Sequence, residues 1–491
     1  MKKPIAAATA LGVGAGAGLA AVARRDLTSG VPIRKKFPVL YWGRWLGYEL
    51  GPLLRQYIIA GDEDERPFSR TQRQWIKHSA EGTVNVLGFG SQYSVDTPGA
   101  VAFTPKTFTN PVDDLEATVG SGLRRIIGGR GGVTPVAMPH PLYISAMSYG
   151  SLSAHAIEAL NRGAAAAGIW HNSGEGGVSP YHLAGGAGII AQMGTAKFGV
   201  RNADGTLNDD LLAELGARDS VKMIEIKLSQ GAKPGKGGIL PGSKVTPTIA
   251  DIRKVPVGQD VMSPARHPEF SDVAGLFDFI DHVRTVARVP VGIKTAVGTP
   301  SEITAIAQAV SHEPGRGPDF ITVDGGEGGT GAAPHVLMSH AGLPLRQALV
   351  VVNDALTQAG VRDDVTIFAS GKLVEPANAA LALALGADAI GTARGFMIAL
   401  GCIQSLKCHL DTCPTGIATQ NERRQQVLDI DAAAARVERY ATTLLSELTV
   451  LARACGHDDP SQLTPDDALV MVDVGHWVPA RAATRVDLGD Q

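Results

Sequence analysis

Cysteine is nearly absent: four occur in 491 residues, and none precedes Cys402. Four thiols do not make a disulfide framework, so the bulk of the protein is expected in a reducing compartment. Aromatic residues contribute only 5%, and 45 basic residues nearly balance 48 acidic ones. With no basic stripe and no aromatic platform, nucleic acid is excluded as a partner. There is no evident nicotinamide-binding fingerprint, which assigns electron supply to ferredoxin or another donor protein. No low-complexity tract follows residue 23.

What is present is concentrated. Cys402, Cys408 and Cys413 fall within about a dozen residues and end in Pro414. Three thiolates without a fourth fit a [3Fe-4S] cluster better than tetrahedral zinc, and a Cys-Pro ending is shared with ferredoxin-type runs. Zinc with His409, although adjacent side chains seldom reach one metal, and buried or redox cysteines are the alternatives. Cys455 reads as an inert core thiol.

The N-terminus carries the one long uncharged run, residues 4–23, closed by Arg24 and Arg25. About twenty such residues can cross a bilayer as a helix. The excess of Arg and Lys downstream predicts a membrane anchor over residues 1–25 with the catalytic body in the cytoplasm. A cleaved signal and a soluble Ala/Gly-rich tail are the alternatives, because the glycines weaken a helix. Residues 37–59 read as a membrane-surface or packing helix.

From residue 141 to 420, apolar runs alternate with helical segments. Candidate strands at 142–147, 168–172, 188–193, 221–228, 289–295, 319–324, 365–370 and 387–392 predict an α/β fold, a (β/α)8 TIM barrel with its chemistry at the carboxyl ends of the strands. Residues 26–140 form the lead-in, and residues 421–491 a C-terminal helical cap.

The strand ends supply the candidate cofactor-binding residues. They are Met147 and Ser148 after the first strand, Asn172 after the second, Lys294 on the fifth, Asp324, Gly325 and Gly326 on the sixth, Gly371 and Lys372 on the seventh, and Gly391 and Thr392 on the eighth. Loops after the last two strands of a barrel often hold a phosphate, so a phosphate-bearing flavin fits there. Lys294 would set a cation near the reduced flavin, with a buried structural lysine as the plainer reading.

Five phrases carry a family resemblance: SAMSYGSLS (145–153), NSGEGG (172–177), GAKPGKGGILPG (231–242), DGGEGGTG (324–331) and CPTGIATQ (413–420). The segment 146–420 resembles the FMN-binding synthase domain of glutamate synthase. The resemblance implies FMN and a [3Fe-4S] cluster in one domain, and reduction of an imine made from 2-oxoglutarate and ammonia. It further implies that Glu175 is the acidic active-site residue, that Lys233 and Arg253 bind the oxoacid, and that Lys294 contacts the flavin. Lys233 is also a candidate catalytic residue beside Glu175. The small-molecule partners are then a 2-oxo acid and an amine; association into a homo-oligomer is left open.

Two departures shape the expectation. The large enzymes of the family begin with a glutaminase domain built on an N-terminal cysteine, whereas this chain has none before Cys402. It is similar instead to shorter, stand-alone members that take external ammonia or an amine. Ile239 stands where the large enzymes carry glutamine, which predicts weak affinity for 2-oxoglutarate. The rival readings are a flavin oxidoreductase acting on an N-alkyl amino acid or a 2-hydroxy acid, and an electron-transfer subunit of a membrane redox complex.

Overall fold

A computed structural model describes residues 20–28, 32–83, 86–108 and 125–485. The chain divides into two compact units, residues 1–71 and 72–491.

In the first unit, residues 20–27 are helical, and helices follow at Pro32–Lys36 and Leu40–Leu54, the last continued by a π-helical turn at Arg55–Ile59. The Asp26 carboxylate ties the unit together by accepting from Trp42 Nε1 at 2.9 Å and from the Val39 amide at 3.1 Å. The expected bilayer-spanning helix is corrected here: among the described residues no helix is long and apolar enough to cross a membrane. Leu40–Leu54 has 15 residues, about 22 Å at 1.5 Å per residue against a hydrocarbon core of about 30 Å. Residues 1–19 of the expected anchor lie outside the described residues.

The second unit contains the barrel. Its strands are β1 (Leu142–Ile144), β2 (Trp170–Asn172), β3 (Ile189–Met193), β4 (Val221–Lys227), β5 (Val291–Thr295), β6 (Phe320–Asp324), β7 (Thr366–Ser370) and β8 (Ala389–Thr392). All neighbours are parallel, and β8 returns to β1 through Gly391 opposite Tyr143, closing the sheet. The eight strands are those expected from sequence, trimmed by a few residues at their ends. Helices α1 (Ala154–Ala166), α2 (Asp209–Gly216), α3 (Pro247–Arg253), α4 (Val273–Ala287), α5 (Pro300–His312), α6 (Leu345–Gln358), α7 (Pro376–Ala384) and α8 (Arg394–Leu400) lie between or after the strands.

Strand alternation divides the barrel interior into layers. Tyr143, Trp170, Ile190, Met223, Phe320, Phe368 and Ala389 form one buried apolar cluster. Burying each large side chain contributes roughly 1.5–3 kcal/mol. Two residues further along each strand, on the same face, stand Ser145, Asn172, Gln192, Glu225, Thr322, Ser370 and Gly391. The barrel is thus sealed by hydrocarbon below and polar toward its carboxyl end.

Helix α9 (Ile430–Ala454) begins at Asp429, whose side chain accepts from the Ala432 amide at 2.9 Å, and packs on α1. Gly163 permits the approach, since a Cβ there would lie 2.6 Å from Val437 Cβ. The rest of the C-terminal segment is not all helical as expected. Ala468–Asp473 and His476–Pro479 form a hairpin, and Val101–Phe103 of the lead-in pairs with it. Strands this short signal weakly in sequence when their partner is hundreds of residues away.

Candidate active site

The loops after β1 and β2 interlock closely. Gly174 has φ +66°, and a Cβ on it would stand 2.6 Å from the Ser148 amide nitrogen. Only glycine meets both demands, and it leaves the next residue, Glu175, facing the loop after β4. Gly231 plays the corresponding part there, where a Cβ would fall 1.9 Å from the Gly325 carbonyl oxygen.

Glu175 is the centre of a charge cluster. Its Oε1 lies 2.9 Å from Lys227 Nζ and 3.9 Å from Lys233 Nζ. Burial raises its pKa, but Lys227, Lys233 and Arg253 together outweigh burial and hold the carboxyl down to about 2. Glu175 is therefore an acceptor and a negative charge at neutral pH, suited to orienting a cation. Burial lowers the Lys233 pKa, offset in part by Glu175.

A folded-state pKa below the ordinary value of 4.5 means that the ionised form stabilises the fold above that pH, and that this contribution is lost as pH falls from about 4.5 towards 2. Removing Lys227 leaves burial with less opposition. In Lys227→Met the Glu175 midpoint, followed by carboxyl carbon NMR, is expected to rise. A midpoint that does not move would show that Lys227 does not set this charge.

Arg253, at the end of α3, is buried. Its guanidinium donates to the Tyr149 carbonyl at 3.3 Å and lies 4.9 Å from the Phe198 ring centroid. Its Nε is buried without a hydrogen-bond partner among the described residues. Burial lowers its pKa to about 10 against the pull of Glu175. Arg253, Glu175, Lys233, Ser148 and Cys408 all line one open cavity of about 420 Å³. Leu240 lines it too; of Ile239 only the backbone is described, paired antiparallel with Met262.

Lys294 and Asp324 form a second, deeper pair at 3.6 Å, both side chains buried. Burial lowers the Lys294 pKa, but Asp324 and then Glu225 outweigh it, so the ammonium is retained. Asp324 also accepts from the Gly231 amide at 2.9 Å. Glu225 is fully buried and accepts from Asn172 at 2.9 Å, Gln192 at 2.6 Å and Thr322. Lys294, Asp324, Gly371, Lys372, Gly391 and Thr392 line one recess with Arg394.

Three expected cofactor residues behave differently. Met147 meets His182 Nε2 through its carbonyl at 3.3 Å. The amides of Gly325 and Gly326 donate to Ser370 and Leu343, each at 2.8 Å. These glycines shape their loop and have no amide to spare for a ligand.

Cys402, Cys408 and Cys413 are free thiols following α8. Burial raises Cys402 to about 11, and the Cys408 and Cys413 thiols add to this. No group of three His, Cys, Asp or Glu side chains among the described residues is gathered to hold a metal.

Sequence reasoning missed Lys227, Glu225, Gln192, Thr322 and Arg394. The strand Val221–Lys227 held the signal: Glu225 and Lys227 share the face of Met223, and an acid and a base on the inner face of an apolar strand need partners.

Residues 124–458 match the family described as a conserved region in glutamate synthase. The glutamate synthase large subunit-like protein YerD of Bacillus subtilis is 38% identical over 461 residues, 87% of each chain. The archaeal glutamate synthase (NADPH) of Methanocaldococcus jannaschii is 35% identical over 318 residues, 64% of this chain and 59% of that one. The chain thus spans under two thirds of that relative's length. Among solved structures, an oxidised active mutant of (S)-mandelate dehydrogenase has a TM-score of 0.48 at 12% identity, covering 81% of this chain and 98% of that one. On the extent of the family match and the coverage by YerD, the chain belongs to the glutamate synthase family.

Proposed function

We propose that the protein is an FMN- and [3Fe-4S]-containing oxidoreductase that reductively aminates 2-oxoglutarate or a related 2-oxo acid with external ammonia or an amine. The observation that carries this reading is the cavity in which Lys233 and the buried Arg253 flank the ionised Glu175. Two cations can hold two carboxylates by charge-assisted hydrogen bonds, and one carboxylate can hold a cationic nitrogen.

FMN suits the recess after β7 and β8. Lys372 and Arg394 bring positive charge there, and Gly371 and Gly391 place no side chain in it. Bound there in its reduced form, FMN would supply a hydride. The substrate's carbonyl oxygen leaves as water when the amine adds. The imine carbon then takes two electrons as hydride, and its nitrogen takes a proton. Lys233 and Arg253 fix the oxoacid, and Glu175 orients the protonated imine nitrogen. Because Glu175 is held at about 2 it is a poor proton donor, and its work is electrostatic. The three thiols after α8 have the donor chemistry of a [3Fe-4S] cluster although they are not gathered at ligand distance; no step is derived through it. Electrons come from ferredoxin or another donor protein.

The cofactor pair is tested on protein made with adequate iron. The expected result is a brown-yellow protein releasing about one FMN per chain, with iron lost in Cys408→Ser while the barrel stays folded. A colourless, iron-free, folded protein would sink the reading. For the reaction, the chemically reduced protein is mixed anaerobically with 2-oxoglutarate and either ammonia or methylamine. Reoxidation of the flavin with stoichiometric amino acid supports the synthase. Reoxidation by none of the 2-oxo acid and amine pairs would transfer the protein to the rival flavin or electron-transfer readings.

A further inference from the structure

A second cavity, of about 300 Å³, lies outside the barrel wall between β3, β4 and helices α2 and α3. Its body is apolar. Met193 and Ile224 project from the outer face of their strands, and Leu183, Leu211, Leu212 and Ile252 are among the other apolar residues of the lining; all are buried or half-buried. Apolar cavities of about half that volume take up benzene-sized ligands, because an empty one forfeits dispersion contacts along its whole wall.

The rim has the opposite character. Glu214, Arg218, Asp251 and Lys254 are the charged residues of the lining, and all four are exposed. Lys254 and Asp251 pair with each other at 3.1 Å. Glu214 and Arg218 make no ion pair or side-chain hydrogen bond among the described residues. The mouth therefore offers one anion and one cation, four residues apart, above a hydrocarbon-lined space.

We propose that this cavity binds a zwitterionic α-amino acid with an apolar side chain of leucine to phenylalanine size. The side chain packs among Met193, Leu212 and Ile224, the ammonium meets Glu214, and the carboxylate meets Arg218. A simple hydrocarbon would leave Glu214 and Arg218 unused, and a polar amino acid would bury its side chain without partners. The site is separate from the charge cluster, but Phe198 lines both cavities and carries Arg253 on its face, so an occupant touches a neighbour of the oxoacid cation. The inference goes beyond the proposed reaction and does not depend on it.

The test reads binding on the full chain, without turnover. Calorimetry and thermal unfolding are run with leucine, phenylalanine, N-acetyl-leucine, which lacks the ammonium, and isoamylamine, which lacks the carboxylate. Leucine or phenylalanine at a hundredfold excess over Kd is expected to raise Tm by about 2 °C or more. The two analogues are expected to bind at least about tenfold more weakly. Glu214→Gln and Arg218→Gln, both at exposed positions, each weaken leucine binding about tenfold, and Leu212→Trp fills the cavity and abolishes it. The proposal is overturned if neither amino acid binds at about 10 mM, if N-acetyl-leucine binds as well as leucine, or if both surface variants keep the native Kd. Because no electron donor, flavin turnover or oxoacid enters the assay, failure here leaves the synthase reading standing, and failure of that reading leaves this one testable.

Discussion

Arg253→Leu is expected to weaken binding of 2-oxoglutarate by about thirtyfold to several thousandfold, the equivalent of roughly 2–5 kcal/mol for loss of one partner of a buried charge pair. The guanidinium is buried, held by the Tyr149 carbonyl at 3.3 Å and by the Phe198 face, and its Nε has no partner among the described residues. Glu175 keeps Lys227 at 2.9 Å in the variant, so the cluster remains compensated and the fold is retained. Arg253→Lys preserves the charge but not the planar fork, and falls between the two. Titration of the oxidised protein with 2-oxoglutarate provides the measurement. A Kd within threefold of the native value in Arg253→Leu would remove Arg253 from the substrate site.

The second large effect is on stability. Lys294→Met leaves the Asp324 carboxylate buried without its cation, and such an uncompensated charge costs about 3–5 kcal/mol. The pair lies at the carboxyl ends of β5 and β6 and borders the recess assigned to FMN, so flavin retention is expected to fall together with the urea midpoint. Lys294→Met/Asp324→Asn is expected to recover most of the loss. The asparagine removes the buried charge but still offers an oxygen to the Gly231 amide, which now donates to Asp324 at 2.9 Å. Loss of less than about 1 kcal/mol in the single variant would show that water or another cation compensates Asp324. Failure of the double variant to recover would assign the lysine a packing role instead.

The barrel was legible because its signal is local. Short apolar runs such as Ile189–Met193 and Phe320–Asp324, followed by glycine-rich loops, declare strand and turn within a dozen residues. The same locality exposed Lys294, Asp324, Gly371, Lys372, Gly391 and Thr392 as strand-end residues, and the structure places all six around one recess. The N-terminal reading erred for a related reason. Hydropathy measures the polarity of a run and not its secondary structure, and among the described residues no helix has the length and apolarity to cross a membrane.

Composition and order alone therefore determined the eight-stranded class, the clustering of three thiols and the residues at the strand ends. Only closure of the barrel decided which charges meet. Glu175 reaches Lys227 from another strand's loop, Glu225 gathers Asn172, Gln192 and Thr322, and Cys408 shares a cavity with Arg253. These groupings join residues roughly 30 to 155 positions apart, with Glu225 on β4 reaching side chains on β2, β3 and β6 across the barrel interior, and side-chain periodicity carries no information over such separations. The physical reason is that strand alternation specifies which face a side chain occupies, whereas its partner on that face is fixed by the register of parallel strands brought together by intervening helices.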